Sequence, residues 1–189
     1  MMNEEQIRSF IALDLDFQGK SFLEGLITRW KRNFPQAKWV QKNQLHVTLA
    51  FFSALPVKHI GNVESLLETV GKGFPSFRFE LRKIGVFPSW NRVRVLWVGF
   101  DQEGEARMKQ INEVLIQGLK GAQIRLEEER DFVPHVTLAR LRIPMSLTPS
   151  DWKLEGAPVS MVERIVLFQS ILTPQGPIYK ELLVSHLKG

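Results

Sequence analysis

The chain has 189 residues, enough to bury one substantial core and too few for two ordinary independent domains. Hydrophobic residues make up 44% and charged residues 24%, which is the balance of a folded globular protein rather than a disordered one. The formal charge of +5 suits a polyanionic partner without identifying one, and the absence of cysteine excludes disulfides and thiolate metal sites.

The first residues are acidic and lack the basic-then-apolar order of a secretory signal. No apolar run approaches the ~20 residues that a membrane-spanning helix needs. The sequence therefore predicts a cytoplasmic protein with no membrane partner and no obligate protein partner.

In chain order, the alternation of apolar residues over 7–15 predicts a strand with one well-buried face. Helical spacing then predicts a helix over 19–33 that ends before Pro35, followed by short strands at 38–40 and 45–52. Pro56 is typical of the first turn of a second helix, which Gly71 and Gly73 close.

The second part of the chain begins with an alternating strand at 77–81. After a turn at 88–91, the nearly all-apolar residues 93–98 are typical of a central strand. A third helix is predicted over 103–119, and strands over 134–143, 162–172 and 178–187. Groups of strands separated by a few helices indicate an α+β fold.

One short segment occurs twice. His46-Val47-Thr48-Leu49-Ala50 returns unchanged as residues 135–139, at an offset of about half the chain. Such self-similarity favours an ancient duplication that gives two similar lobes.

On a strand, residues two apart share a face, so His46 and Thr48 point one way, as do His135 and Thr137. If the two lobes face each other, two imidazoles and two hydroxyls converge on one cleft. One imidazole can then take a proton from a nucleophile while the other protonates a leaving oxygen, since histidine titrates near neutral pH. The hydroxyls are suited to donate hydrogen bonds to phosphate oxygens. This set predicts a phosphodiesterase that needs no metal.

Other interpretations of these residues remain open at this point. A histidine on a strand is often structural, and two histidines can belong to a zinc site, although no third ligand at the usual spacing is visible. His59 and His186 lie outside the repeat and are interpreted as surface or packing residues. Asp14 and Asp16 are compatible with a metal pair or with the acidic end of a strand.

With both motifs identified, the chain resembles the 2H phosphoesterase superfamily, and within it the LigT-like group of RNA 2′,3′-cyclic phosphodiesterases, also called 2′-5′ RNA ligases. The resemblance covers nearly the whole chain. Besides the motifs, it is carried by the opening strand, the middle hairpin and the C-terminal hairpin, at residues 8–13, 85–99 and 167–179.

The resemblance implies that residues 1–189 form a single two-lobed α+β domain, with pseudo-symmetric lobes of mostly antiparallel sheet, helices on the outer faces and a positively charged cleft between the lobes. It implies hydrolysis of terminal 2′,3′-cyclic phosphates to 2′-phosphates without metal or other cofactor. It assigns the proton donor to His46 and the acceptor to His135. The expected partners are RNA with cyclic phosphate ends or related small cyclic nucleotides.

Two further residues are candidates for substrate binding. Arg140 matches a phosphate-contacting position of the family, but an ideal strand points it away from His135, so a bulge or the end of the strand is needed to bring it in. Phe51 stands at the equivalent place after the first motif. Among nearby aromatics that are candidates for stacking on bases, Phe132 ranks first because it flanks the second motif on a loop.

Two alternatives to hydrolysis remain. A ligase would run the same chemistry in reverse and form a 2′-5′ linkage. An RNA- or nucleotide-binding module would keep the cleft without the reaction, although two proton-transfer groups count against it.

Overall fold

The computed structural model describes residues 5–127 and 131–189. It contains three α-helices and eight strands, so the predicted α+β class with a mostly antiparallel sheet is confirmed. In chain order these are β1 (Gln6–Leu15), α1 (Phe17–Lys31), β2 (Lys38–Trp39), β3 (His46–Pro56), α2 (Ile60–Gly73), β4 (Phe77–Phe87), β5 (Val93–Phe100), α3 (Gln102–Gly121), β6 (Val136–Met145), β7 (Val159–Thr173) and β8 (Gly176–His186).

The first helix follows from local sequence. Asp16 adopts the extended conformation of an N-cap, and its side chain accepts a hydrogen bond from the backbone N–H of Gly19 at 2.8 Å. The buried side of α1 carries Leu23, Leu26 and Trp30 at helical spacing. The helix begins two residues earlier than predicted because the cap is Asp16, and it ends at Lys31, two residues before the predicted end.

The second helix begins later than predicted. Pro56 is the last residue of β3, not part of a helix, and its ψ of 131° is extended. The strand runs this far because β1 pairs with it as far as Pro56 and the next N–H, that of Val57, donates to the carbonyl of Glu5 at 2.9 Å. A short 3-10 turn then leads into α2, which ends at Gly73 as expected.

The strands form one sheet in the order β1-β3-β6-β5-β4-β7-β8, with β2 added beside β6. Since β1 also pairs with β7, the first six strands of this order are joined in a closed cycle of pairings. β1 is thus paired along both edges, and its residues from Ser9 to Leu15 are all buried, so both of its faces are covered rather than the predicted single face. Ile11 and Leu13 belong to the main core, and Phe10 and Ala12 to a second apolar cluster.

A pair of antiparallel strands connected through a helix occurs twice in this sheet. The first repeat consists of β1, α1 and β3, and the second of β5, α3 and β6. Asp16 precedes the helix of the first repeat and accepts from the N–H of Met161 at 2.9 Å; Asp101 takes the same place in the second and accepts from the N–H of Glu80 at 2.9 Å. The repeats meet where Val47 of β3 pairs with Val136 of β6.

Within the described residues, no helix combines the length and the apolar character that crossing a membrane requires.

Candidate active site

The meeting point of the repeats brings the two motifs together. Val47 and Val136 are antiparallel partners and fully buried, so the residues that flank them face the other side of the sheet. His46 and Thr48 from β3, with His135 and Thr137 from the start of β6, all line one cleft of about 440 Å³.

The lining of the cleft is basic and partly aromatic. It contains three cations and, among the described residues, no carboxylate. Besides the two motifs, the lining residues are Arg8, Phe10, Lys38, Trp39, Val40, Gln44, Phe51, Arg140, Ser170, Leu172, Pro177 and Tyr179.

Each histidine is held by an equivalent hydrogen bond from its ring to the backbone. Nδ1 of His46 lies 2.7 Å from the carbonyl oxygen of Gln44, and Nδ1 of His135 lies 2.7 Å from that of Val133. A carbonyl only accepts, so each Nδ1 carries the proton and each neutral ring has its lone pair on Nε2. Nε2 of His46 lies 3.0 Å from Thr48 Oγ1, whose hydroxyl donates to it.

Burial favours the neutral form of both rings. Desolvation lowers the pKa of His46 to about 4, although the hydrogen bond to Gln44 and the charge of Asp14 oppose the shift. Desolvation also lowers the pKa of His135, and the nearby Arg140 adds to that effect. Without a bound anion, both imidazoles are bases at neutral pH.

Aromatic rings hold the two imidazoles in place. His46 stacks on Phe10 with ring centroids 4.6 Å apart, and its edge meets Tyr179 at 5.7 Å. His135 lies edge-on to Phe87 at 5.1 Å and beside Trp97 at 5.8 Å. These contacts fix the ring planes and exclude water from part of each ring.

A bulge in β6 turns Arg140 into the cleft. Leu96 of β5 pairs with Ala139 and Trp97 pairs with Thr137, so Leu138 is an extra residue on β6. The extra residue reverses the alternation, and Arg140 reaches the face that Thr137 occupies. The condition that the sequence set for this residue is therefore met by the structure.

The first motif has the same bulge. Ile11 of β1 pairs with Ala50 and Ala12 pairs with Thr48, which leaves Leu49 as the extra residue on β3. Phe51 thereby faces the cleft at the position equivalent to Arg140. The guanidinium of Arg8 lies over the Phe51 ring at 4.4 Å, so the first repeat also presents an arginine to the cleft.

Phe132 lies elsewhere. It is half-buried and packs against the main hydrophobic core, and it is absent from the described lining of the cleft. The structure thus gives no support to base stacking by Phe132, because adjacency to His135 in sequence does not fix the direction of a loop side chain. Among the described residues, the aromatics that line the cleft beside the histidines are Phe10, Trp39, Phe51 and Tyr179.

Several lining residues were missed from the sequence, chiefly Arg8, Lys38, Trp39, Gln44 and Tyr179. Arg8 carried a usable signal, because strand alternation puts it on the same side as Phe10. Gln44 carried none: its side chain donates to the carbonyl of Pro177 at 2.6 Å, a contact between parts of the chain that are distant in sequence.

The described residues contain no group of three or more histidine, cysteine, aspartate or glutamate side chains able to hold a metal ion. Asp14 instead forms ion pairs with Lys20, at 2.5 Å, and with Arg164, while Asp16 caps α1. These contacts favour the other interpretation of the two aspartates, as the acidic end of a strand. His59 and His186 lie outside the cleft lining.

Known proteins resemble this chain over nearly its whole length. A Thermotoga maritima protein named RNA 2′,3′-cyclic phosphodiesterase is 30% identical over 97% of each chain. A solved structure from Thermus thermophilus has a TM-score of 0.85 at 29% identity, covering 97% of this chain and 99% of that one. The apo structure of E. coli LigT shares the fold, with a TM-score of 0.72 at 23% identity over 98% of this chain and 99% of that one.

The model of the 2′-5′ RNA ligase superfamily matches residues 20–162, which include both His-x-Thr motifs, both bulges and Arg140. The match covers well over half of the chain and agrees with the LigT-like fold. The chain belongs to the 2′-5′ RNA ligase superfamily.

Proposed function

We propose that this protein is an RNA 2′,3′-cyclic phosphodiesterase that opens terminal cyclic phosphates to 2′-phosphates. The observation that carries the proposal is the pairing of two imidazoles, each with its Nδ1 proton held by a carbonyl, with two threonine hydroxyls in one basic cleft. Relatives that bear this activity in their names match nearly the full chain and support it.

In the proposed reaction, Nε2 of His135 takes a proton from water, and the water oxygen forms a bond to phosphorus. The bond between phosphorus and the ribose 3′ oxygen breaks on the opposite side. Nε2–H of His46 gives its proton to that oxygen, which leaves a 3′-hydroxyl and a 2′-phosphate. Each acid or base group of this kind contributes typically ~10²–10⁴-fold.

His46 must be protonated to act as the donor, whereas burial lowers its pKa to about 4 in the free protein. An anionic phosphate beside Nε2 favours the charged ring and raises the pKa of His46 when the substrate binds. Asp14, which pairs with His46 across β1 and β3, favours the charged ring as well. Substrate binding thus creates the acid that the reaction needs, while His135 is already a base.

The remaining groups bind the substrate. Thr48 and Thr137, which line the cleft, donate hydrogen bonds to the non-bridging oxygens in this proposal, and Arg140, which also lines it, offsets the charge that develops on the phosphate in the transition state. Arg8 and Lys38 extend the positive lining beyond the motifs and suit the backbone of an RNA end. In this proposal the two repeats act as two lobes that grip the cyclic phosphate from opposite sides.

Ligation is the second candidate because the family model that matches the chain bears that name. Ligation uses the same groups, with the 5′-hydroxyl of a second RNA end in place of water as the nucleophile; the 3′ oxygen leaves as in hydrolysis, and a 2′-5′ linkage forms. Water is far more concentrated than any RNA end, so we expect hydrolysis to dominate.

The test uses a short RNA that ends in a 2′,3′-cyclic phosphate, incubated with the protein in EDTA. We expect stoichiometric conversion to a 2′-phosphate, identified by phosphorus NMR, and none with a His46→Ala, His135→Ala double variant. No turnover by the wild-type protein would overturn the proposal, and a 3′-phosphate product would overturn the binding direction. Adding an RNA with a 5′-hydroxyl measures ligation in the same assay.

A further inference from the structure

In each repeat the backbone carbonyl of the extra residue in the bulge accepts a hydrogen bond from a group outside the paired strand, β1 or β5. In the second repeat, the carbonyl of Leu138 accepts from the N–H of Val40, just after β2, at 2.9 Å. β2 pairs with β6, so here a neighbouring strand supplies the donor. The structure describes no strand in the corresponding place beside β3.

In the first repeat a side chain supplies the donor instead. Nδ2 of Asn112 donates to the carbonyl of Leu49 at 2.9 Å. Asn112 is only 7% exposed and lies on the buried side of α3, among apolar residues such as Met108 and Leu115. A buried amide is costly without a partner, so this contact specifies how α3 and the bulge fit together.

The bulge that Asn112 holds determines the geometry of the first motif. Leu49 directly follows Thr48, whose hydroxyl donates to Nε2 of His46. The same bulge turns Phe51 into the cleft with Arg8 above it. A shift of the Leu49 carbonyl therefore moves Thr48, whose hydroxyl is the partner of His46 in the free protein and the proposed hydrogen-bond donor to phosphate.

We propose that Asn112 is a residue that positions Thr48 and His46 by holding the bulge of β3 in place. The inference rests on the proposed function, since it assigns Asn112 a part in that reaction. Asn112 does not line the cleft in the described structure, so its effect on turnover passes through the backbone of β3.

The test is a pair of double-mutant cycles on the full chain, measured as kcat with the cyclic-phosphate RNA. Asn112→Leu removes the donor and keeps the side-chain size; because small displacements of reacting groups are costly, we expect kcat to fall about tenfold or more while KM changes little. Combined with Thr48→Val, the loss should be clearly smaller than the product of the two single losses. Combined with Thr137→Val, the equivalent change in the other repeat, the losses should multiply.

Controls separate positioning from stability. Leu115→Ala removes packing from the same buried side of α3, so it should lower Tm without lowering kcat at a temperature where the protein is folded. If Asn112→Leu does not fold, Asn112→Ala, which cannot overpack, takes its place in both cycles.

Unchanged kcat in the Asn112 variant, or losses that multiply equally with both threonine changes, would overturn the inference while leaving the proposed function intact. An inactive wild-type protein would overturn both.

Discussion

In both repeats the histidine donates its Nδ1 proton to the carbonyl two residues earlier, yet the rings that surround the two imidazoles differ. Phe10, which stacks on His46, pairs with Phe51 of β3, and Val95 pairs with Arg140 of β6. Since Phe51 and Arg140 occupy equivalent positions after the two motifs, Val95 is the counterpart of Phe10 in the second repeat. The hydrogen bond from Nδ1 to a backbone carbonyl is therefore the same in both repeats, whereas the aromatic rings packed around the imidazole differ.

The difference continues in the outer strands. Tyr179 of β8 covers one edge of His46, and the pairing of β7 with β8 brings it there. β4 stands beside β5 as β7 stands beside β1. The second partner of β4 is β7, which pairs only with residues 77–80, so among the described strands none takes the place of β8 beside the rest of β4. The repeated segment therefore supplies two imidazoles with the same hydrogen bond, and neighbours that do not belong to the repeat make one of them more enclosed.

The largest expected effect is the loss of kcat/KM when the histidine of each repeat is replaced in turn. His46→Ala and His135→Ala should each lower kcat/KM by about 10²–10⁴-fold, since each removes one proton-transfer group. Only His46→Ala should also lower Tm noticeably, because its ring stacks on Phe10 and closes the second apolar cluster. Turnover and thermal unfolding of both variants check this; wild-type turnover in either would contradict the paired mechanism.

The next effect concerns stability against pH. The folded pKa of His46 is about 4 and the unfolded value is 6.5, so between these values the unfolded chain binds a proton that the folded chain does not. The free energy of unfolding is therefore not reduced by His46 above about pH 6.5. As the pH drops from there to about 4, it falls by up to about 3 kcal/mol because of this residue. Denaturant unfolding of the wild type and of His46→Gln at several pH values measures the difference.

His135→Gln is the matched control for that experiment. Burial lowers the pKa of His135 too, but its ring is less enclosed, so the variant should keep most of the acid-dependent loss. Subtracting each variant from the wild type removes the contribution of carboxylates that titrate below pH 5. Equal slopes for the wild type and His46→Gln would contradict the enclosure of His46.

The comparison also indicates what the sequence could predict. The identical five-residue segments and the two-residue alternation of strands suffice to put His46 and Thr48 on one face of their strand, and His135 and Thr137 on the equivalent face of theirs. The bulges were not predictable, because they depend on the register with β1 and β5. Their one local trace is the pair of consecutive buried residues after each threonine, Leu49-Ala50 and its repeat.

Contacts that join distant parts of the chain were the hardest to predict. Phe132 was selected for its nearness to His135 in sequence, and it packs on the core instead. Tyr179 of β8 reaches the site because the C-terminal hairpin packs beside His46, and Gln44 is joined to that hairpin by its hydrogen bond to Pro177. No local pattern specifies these contacts. The sequence thus predicted groups fixed by a single strand, and missed those fixed by packing between elements.

A smaller effect separates the two hydroxyls. Thr48→Val and Thr137→Val each remove one hydrogen bond to a charged oxygen, worth about 1.5–3 kcal/mol, so kcat/KM should fall about ten- to a hundredfold. In the free protein the Thr48 hydroxyl instead donates its one proton to Nε2 of His46, and that bond favours the neutral ring. NMR titration should therefore show a raised pKa of His46 in Thr48→Val and no change in Thr137→Val. An unaltered pKa in both variants would contradict the contact.

The smallest expected effect concerns the two arginines. Arg140→Gln removes a cation that the second repeat presents directly, and Arg8→Gln removes one that the first repeat holds over Phe51. Each change should reduce the slope of log(kcat/KM) against log(salt) by about 0.7, the value for one phosphate contact on a single strand.

Phe51→Leu keeps both charges and removes only the ring under Arg8. Since such a contact is worth about 0.5–1 kcal/mol at an exposed site, KM should rise about two- to fivefold with the salt slope nearly unchanged. If Phe51→Leu instead lowered the slope as far as Arg8→Gln does, the ring would be essential for placing the charge. If it changed neither KM nor the slope, Arg8 would not need the ring, and the equivalence of the Arg8–Phe51 pair to Arg140 would be lost.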